Sequence, residues 1–408
     1  MEKINKIITF WLIFLLLIIP FGLSTNAYGT ENPYQKLFQT ELQLYPFSVT
    51  YENKSLPGFD AFNQALNNSS SYPMNSYNLL VGCYRTLMFL NLTQQMGMMG
   101  SRNVAKELLS VVQKNLSDIT FLRNAILPKT LSSLEWHDLV GREIIDATDY
   151  LSKANSYYIN EDYNSSIAAL LFADTSLHKA KGFISVANER NTNATVIYTS
   201  NISITVKQVA SQWIDHASST ITFYQNMGYK QYLGYPNSIL NQSKDFFSNE
   251  LFYVAIIQAA SSNALAEYYV HRSQIHSESS DILTVCDKYL DFGELSMNSL
   301  YNSDDIDAPF TESTIELAKI HLNEAKENEN ESSATATAGL SIQESLIAIE
   351  QAKAVWDLRN VIMHGQVGID QRGDNENKKN QTDLQFLLLL IICIESILLM
   401  ILFFKKYR

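Results

Sequence analysis

The chain of 408 residues is long enough for two or three ordinary domains, and its 46% hydrophobic and 18% charged residues exclude a wholly disordered tether. A formal net charge of −12, with no cluster of lysine and arginine outside the chain ends, argues against a nucleic-acid partner. Glycine (15 residues) and proline (8 residues) are scarce, which favours long helices over β architectures with many turns.

Residues 1–29 have the pattern of a secretory signal peptide. Two lysines form a short basic region, an apolar run follows over 7–23, and small residues lie around Ala27 and Gly29. We expect cleavage after Ala27 or Gly29. The alternative is an uncleaved N-terminal anchor, because the apolar run approaches the roughly 17 to 25 residues that can span a bilayer.

A second apolar run, Phe386–Phe404, predicts a C-terminal transmembrane helix over 383–404. The basic tail 405–408 follows it at once, which predicts a cytoplasmic C-terminus and an N-terminus outside. The chain would then be a single-pass protein of the cell membrane, or of the ER membrane in a eukaryote. Residues 365–382 are polar and rich in glycine and asparagine, and they predict a flexible juxtamembrane stalk.

Glycosylation acceptors of the type Asn-X-Ser/Thr, with X not proline, give an independent indication of orientation. All of them lie between the two hydrophobic ends, which predicts that the middle of the chain is extracytoplasmic. The alternative is that asparagine and serine richness alone generates them. The acceptors are Asn53, Asn67, Asn68, Asn91, Asn115, Asn164, Asn193, Asn201, Asn241, Asn330 and Asn380.

Glu395 is unusual because it lies near the middle of the predicted anchor. A charged residue at that depth costs about 2.5 to 3.5 kcal/mol on insertion scales. Glu395, assisted by Ser396, is therefore expected to meet a polar group on another transmembrane helix, in a complex with a partner or with further copies of the chain. The alternative is a neutral glutamate that faces lipid.

Apolar residues recur at three- and four-residue spacing across 77–364, which predicts an all-α ectodomain. The segment 30–76 before it is expected to be extended or irregular. The ectodomain is expected to be a helical bundle or an irregular array of helical hairpins. Its helices are predicted near 77–97, 102–126, 131–158, 162–188, 205–227, 237–272, 278–300, 314–327 and 338–364.

Internal similarity supports the hairpin alternative. The stretches 152–180 and 243–269 share an aromatic end, an acidic turn and an alanine-rich helix, and 322–355 is a weaker third copy. Small residues at helical spacing let two helices approach closely, as in hairpin repeats of the TPR type. The spacing between the copies is uneven, so generic helix-bundle composition remains the alternative.

No familiar catalytic, phosphate-binding or metal-binding motif occurs in the sequence, so no catalytic residue, cofactor or metal is predicted. Glu267 and His271 have the i, i+4 spacing of a helical metal pair, but a surface ion pair is the favoured interpretation. Cys83 and Cys286 could pair as a disulfide in an oxidising exterior. The alternative is two small buried side chains.

The stretch from Arg359 to His364 resembles the Arg-x4-His signature of HEPN domains, helical proteins in which this arginine and histidine form a ribonuclease centre. The acidic, exported chain argues against that activity. A helix C-terminal turn, whose cations face the negative end of the helix dipole before Gly365, is the favoured interpretation.

The alanine-rich helix pairs, the tyrosine-proline stretch at 235–247 and the closing anchor resemble the helical region of archaeal surface-anchored Lon-like proteases over 130–404. The resemblance implies a relative that lacks the Ser-Lys protease domain. The sequence therefore predicts a non-enzymatic cell-surface protein that binds a protein partner or assembles with itself. The alternatives are an exported hydrolase with an unrecognised site and a structural component of the cell envelope.

Overall fold

Every regular element in the described part of the chain is helical. The computed structural model describes residues 32–44, 56–192, 202–276, 281–301, 306–328 and 333–364, which contain one short 3₁₀ turn, Lys230–Tyr232, and no strand. The all-α prediction is confirmed. The α-helices in these ranges are α1 Pro33–Leu44, α2 Phe59–Asn68, α3 Pro73–Met99, α4 Ser101–Ala125, α5 Leu131–Ile159, α6 Tyr163–Thr192, α7 Ile202–Asn226, α8 Gly234–Ser248, α9 Phe252–His276, α10 Ile282–Tyr301, α11 Pro309–Glu327 and α12 Ala334–His364.

Within the described ranges, no helix combines the length and the apolar character that a membrane crossing requires. The predicted signal segment 1–29, the stalk 365–382, the anchor 383–404 and the tail 405–408 lie outside the described residues.

The chain divides into two compact units, Met1–Leu80 and Val81–Arg408, with the boundary inside α3. The first unit corrects the prediction that 30–76 is extended or irregular, because it contains α1 and α2. Asn32 caps α1: its side-chain oxygen accepts hydrogen bonds from the backbone N–H groups of Tyr34 (2.9 Å) and Gln35 (3.2 Å). Asparagine as N-cap with proline at the first helical position is a local start signal for this helix.

In the second unit, a group of three helices occurs three times in succession. In repeat 1, α5 and α6 form a hairpin and α4 packs mainly on α6. In repeat 2, α8 and α9 form the hairpin and α7 packs mainly on α9; in repeat 3, α11 and α12 form it and α10 packs mainly on α12. The hairpin similarity in the sequence therefore belongs to a three-helix repeat, and not to a two-helix repeat of the TPR type.

The hairpins of repeats 1 and 2 close through the same turn. An asparagine caps the C-terminus of each first helix, and the next residue is a glutamate in the left-handed region, Glu161 at φ 61° and Glu250 at φ 60°. In both turns the N–H of the following residue bonds back to the carbonyl five positions earlier, which is a Schellman ending. Aromatic pairs flank the turns at similar centroid distances, Tyr158–Tyr163 at 5.4 Å and Phe247–Phe252 at 5.3 Å.

Buried serines join the two helices of each hairpin. In repeat 1 the Ser166 hydroxyl donates to the carbonyl of Ala154 (2.9 Å), whereas in repeat 2 the Ser243 hydroxyl donates to the carbonyl of Ala255 (2.7 Å). When the two turns are superimposed, Ser166 corresponds to Ala255 and Ala154 corresponds to Ser243. The serine therefore lies on the second helix of the hairpin in repeat 1 and on the first helix in repeat 2. The small side chains allow close approach, and the hydroxyl compensates for its own burial by forming the hydrogen bond.

Most predicted helices lie within about four residues of the observed bounds, and two predictions differ more substantially. A single helix was expected over 237–272, but the turn after Ser248 divides it into α8 and α9. The helix expected at 314–327 begins at Pro309. Its N-cap Ala308 makes no side-chain capping bond, and the cap comes from a residue of α5 that is distant in sequence.

Helix α9 lies at the centre of the second unit. It packs against α7, α8, α12 and α5, and nearly every residue over 252–266 is buried. Alanine and serine fill much of this stretch, so four neighbouring helices can surround it at short interaxial distance. This helix therefore connects all three repeats.

Gly141 of α5 is one place where two repeats meet. A Cβ atom there would overlap the Cδ2 atom of Leu251, in the turn of repeat 2, and would lie 3.0 Å from the Arg123 guanidinium carbon. Leu251 is buried, so its side chain would have to shift within the packed interior. Glycine thus permits close approach here, and a larger residue would force Leu251 to move.

We predict that Gly141→Ala destabilises the protein by about 1 to 3 kcal/mol, because overpacking outweighs the gain of roughly 1 kcal/mol that alanine gives inside a helix. The matched control is Gly82→Ala in α3, where an added Cβ meets nothing within 4 Å. The control should be neutral or stabilising in urea unfolding followed by circular dichroism. Equal effects of the two substitutions on the free energy of unfolding would contradict a close contact between Gly141 and Leu251.

Candidate functional site

A cleft of about 510 Å³ lies beside the last two turns of α9. The 3₁₀ turn contributes Tyr232, the residue before that turn is Tyr229, and the facing wall is formed by α9. The wall carries hydrogen-bonding side chains of several types, so the cleft is a mixed aromatic and polar site. The α9 residues that line it are Tyr269, Val270, His271, Arg272, Ser273, Gln274 and His276.

His271 is held by hydrogen bonds at both ring nitrogens. Its Nε2 lies 3.1 Å from the Tyr224 hydroxyl oxygen, and its Nδ1 lies 3.0 Å from the Gln274 side-chain oxygen. Because the Gln274 oxygen can only accept, the neutral ring carries its proton on Nδ1 and accepts the Tyr224 hydroxyl at Nε2. The imidazole is therefore fixed between α7 and its own helix.

His276 is fixed through repeat 3. The Tyr268 hydroxyl donates to the carbonyl of Gly339 on α12 (2.9 Å), and His276 Nε2 lies 3.3 Å from the same hydroxyl oxygen. Burial lowers the pKa of His276, and the positive charge of Arg272 lowers it further. A neutral His276 with its proton on Nε2 then donates to the Tyr268 oxygen.

The charge of the cleft differs from that of the whole chain. Arg272 is exposed and makes no ion pair with any described residue. No aspartate or glutamate belongs to the lining set given above. The cleft is thus a donor-rich, locally cationic site on a protein of net charge −12.

A second polar cluster is buried where the repeats join. Glu135 of α5 accepts hydrogen bonds at Oε2 from the backbone N–H groups of Asp307 (2.9 Å) and Ala308 (3.1 Å), at the start of α11. Asp138, one turn later on α5, accepts at Oδ2 from the N–H of Tyr253 (2.9 Å), at the start of α9. Two carboxylates of repeat 1 therefore cap helices of repeats 2 and 3.

Asp307 strengthens this joint. Its Oδ2 atom accepts hydrogen bonds from the Trp136 indole N–H and from the Arg190 guanidinium, both at 2.7 Å. Burial and the nearby Asp307 carboxylate raise the pKa of Glu135 to about 8, although the two backbone N–H groups oppose the shift. The cluster has no opening to solvent at Glu135, which is fully buried, so it acts as a structural joint.

Of the predicted Glu267–His271 pair, only His271 lines the cleft. Both of its ring nitrogens are engaged, one by Tyr224 and the other by Gln274. Burial raises the pKa of Glu267, with a further contribution from Glu350. No group of three potential metal ligands occurs among the residues the structure describes.

Arg359 and His364 lie in the last two turns of α12. The Arg359 guanidinium lies over the Trp356 ring at 5.4 Å, which is a cation–π contact within the same helix. The structure thus gives Arg359 an aromatic neighbour and does not bring it to the cleft.

Cys83 and Cys286 are both buried thiols, and no disulfide joins them in the structure. The Cys286 thiol donates to the carbonyl of Ala338 (3.1 Å), and burial raises its pKa to about 12. Both cysteines therefore have the surroundings that the alternative prediction gave them, those of small buried side chains.

The glycosylation acceptors within the described ranges all reach the surface: Asn67, Asn91, Asn164 and Asn241 are exposed, and Asn68 and Asn115 are partly buried. The acceptors Asn53, Asn193, Asn201, Asn330 and Asn380 lie outside the described residues, as do Glu395 and Ser396.

Tyr232, Arg272 and the acidic residues of α5 were not among the predicted site residues. The cleft had one local signal, the tyrosines at three-residue spacing from Tyr229 to Tyr235. Glu135 and Asp138 had none, because their partners are more than a hundred residues away in the chain.

Comparison with known proteins gives no family and no fold relative: no protein-family model, no curated protein and no solved structure matches the chain.

We predict that Glu135→Gln removes part of the pH dependence of stability. The folded pKa of about 8 is above the value of 4.5 for an unperturbed glutamate, so Glu135 contributes stability fully below about pH 4.5 and loses it as pH rises to about 8. Wild type should therefore lose on the order of 3 kcal/mol more than the variant between pH 5 and pH 8. Glutamine keeps the accepting oxygen, so the joint should persist.

The measurement is urea unfolding at several pH values. Glu107→Gln on the exposed surface of α4 is the control, and it should retain the wild-type slope. Parallel profiles for wild type and Glu135→Gln would contradict the assigned pKa.

Proposed function

We propose that this chain is a non-enzymatic, membrane-anchored cell-surface protein that binds a protein partner or assembles with its own copies. The observation that carries the proposal is the three-helix repeat, which occurs three times in the second unit. Tandem helical repeats in which neighbours share one continuous core are typical of binding scaffolds.

The positions of the glycosylation acceptors support an extracytoplasmic location. The asparagines of the acceptors on α3, α6 and α8 are exposed, so a glycan attached to any of them would project into solvent. A single C-terminal span over 383–404, followed by basic residues on the cytoplasmic side, would likewise leave the preceding residues outside the cytoplasm.

Glu395 suggests how the partner is held. A glutamate near the centre of a bilayer-spanning helix is stabilised when it is protonated or paired with a polar group on a neighbouring helix. We therefore propose that Glu395, with Ser396, contacts another transmembrane helix. The likeness to the helical region of Lon-like archaeal proteases is compatible with this proposal, since it implies a relative without a protease domain.

We predict that Glu395→Leu reduces the recovery of a specific crosslinked neighbour by at least about tenfold, which corresponds to a loss of about 1.4 kcal/mol. Full-length protein would be crosslinked in native membranes, extracted in detergent and analysed by mass spectrometry. Met400→Leu, an apolar exchange in the same segment, is the control and should retain the neighbour.

An unchanged set of neighbours for Glu395→Leu would contradict the proposed intramembrane contact. No specific neighbour in wild type would contradict the binding function itself. Recovery of wild type only as a very large assembly would instead favour a structural component of the envelope.

A further inference from the structure

We propose that the cleft beside α9 binds an acidic carbohydrate, with the carboxylate of a uronic acid paired to Arg272. This proposal does not depend on the transmembrane contact of Glu395, because the cleft lies entirely within the second unit, in repeat 2.

The aromatic residues provide the surface for a sugar ring. Tyr229, Tyr232 and Tyr269 line the cleft, and half of the Tyr232 surface is exposed to solvent. The face of an aromatic ring is electron-rich, so it attracts the slightly positive C–H groups on one face of a pyranose. The tyrosine hydroxyl groups remain available for hydrogen bonds with sugar hydroxyls.

The cation provides the preference for acidic sugars. Arg272 is exposed on the cleft wall, makes no ion pair with a described residue, and has no carboxylate beside it among the lining residues. A guanidinium matches the geometry of a carboxylate through two parallel hydrogen bonds. The Arg272 guanidinium therefore attracts an anionic group locally, against the repulsion from a chain of net charge −12.

The neighbouring polar groups are already in position. Hydrogen bonds from Tyr224 and Gln274 fix His271, and Tyr268, which bonds to Gly339 of repeat 3, fixes His276. A ligand would therefore meet rings whose rotamers are set before binding, which reduces the entropy that binding must overcome.

Side-chain groups provide the recognition chemistry at this cleft. An extended peptide is usually held by backbone bonds to a sheet edge, and the described part of the chain has no strand. A helical peptide requires an apolar groove, whereas tyrosine, histidine, glutamine, serine and arginine predominate here. These features favour a saccharide over a peptide.

The test is isothermal titration of the full-length protein in detergent with tetragalacturonate. Arg272→Leu should weaken binding at least about tenfold, and Tyr232→Ala should weaken it by a similar factor. Lys106→Leu removes an exposed cation from α4, and Tyr157→Ala removes an exposed tyrosine from α5. Both controls should bind within about twofold of wild type.

Failure of wild type to bind tetragalacturonate would overturn the proposal. Equal affinity for the neutral tetrasaccharide maltotetraose would overturn the role of Arg272. Equal competition by hexaglutamate would overturn the assignment to sugars and indicate an acidic peptide. The circular dichroism spectra of the variants should match wild type, and Arg272→Lys, which keeps the charge, should bind with intermediate affinity.

Discussion

Two carboxyl groups one turn apart on α5 join the three repeats. Glu135 caps the start of α11 through the N–H groups of Asp307 and Ala308, and Asp138 caps the start of α9 through the N–H of Tyr253. A buried helix N-terminus without such acceptors would leave unpaired donors, each at a cost of about 1 to 3 kcal/mol. Removing either carboxylate would therefore weaken a contact between repeats as well as a helix end. We therefore expect the second unit to unfold as one cooperative structure, although its helices are arranged as a tandem array.

The same arrangement positions the cleft. Helix α9 is buried over its first four turns by small residues and buried serines, and it becomes accessible only towards its end. That end bears His271 and Arg272 and is supported from α7 through Tyr224 and from α12 through the carbonyl of Gly339. Packing between repeats thus fixes the wall on which the proposed ligand would lie. The proposed membrane anchor and the cleft belong to different parts of the chain, so partner binding and sugar binding can be tested separately.

The all-α class and most helices could be predicted because periodicity is a local property of the sequence. The helix predicted over 131–158 differs from α5 by one residue at its end. The helix predicted over 237–272 did not include the division between α8 and α9, although the similarity of 243–269 to 152–180 indicated an acidic turn there. Glu250, like Glu161, adopts a left-handed conformation in which glycine is the usual signal. The start of α11 was missed because its cap is Glu135, far away in sequence. The cleft could not be predicted because folding alone brings Tyr232 beside the end of α9.

Hydrogen exchange followed by mass spectrometry, on full-length wild type and Asp138→Ala, tests the coupling of the repeats most directly. If the α5 caps join the repeats into one cooperative unit, Asp138→Ala should accelerate exchange throughout 252–266 and also in α11 and α12. The control Asp162→Ala removes an exposed cap inside repeat 1, where Asp162 accepts from the N–H of Ser165, and should affect only the start of α6. Acceleration in Asp138→Ala that is confined to the first turn of α9 would contradict the account.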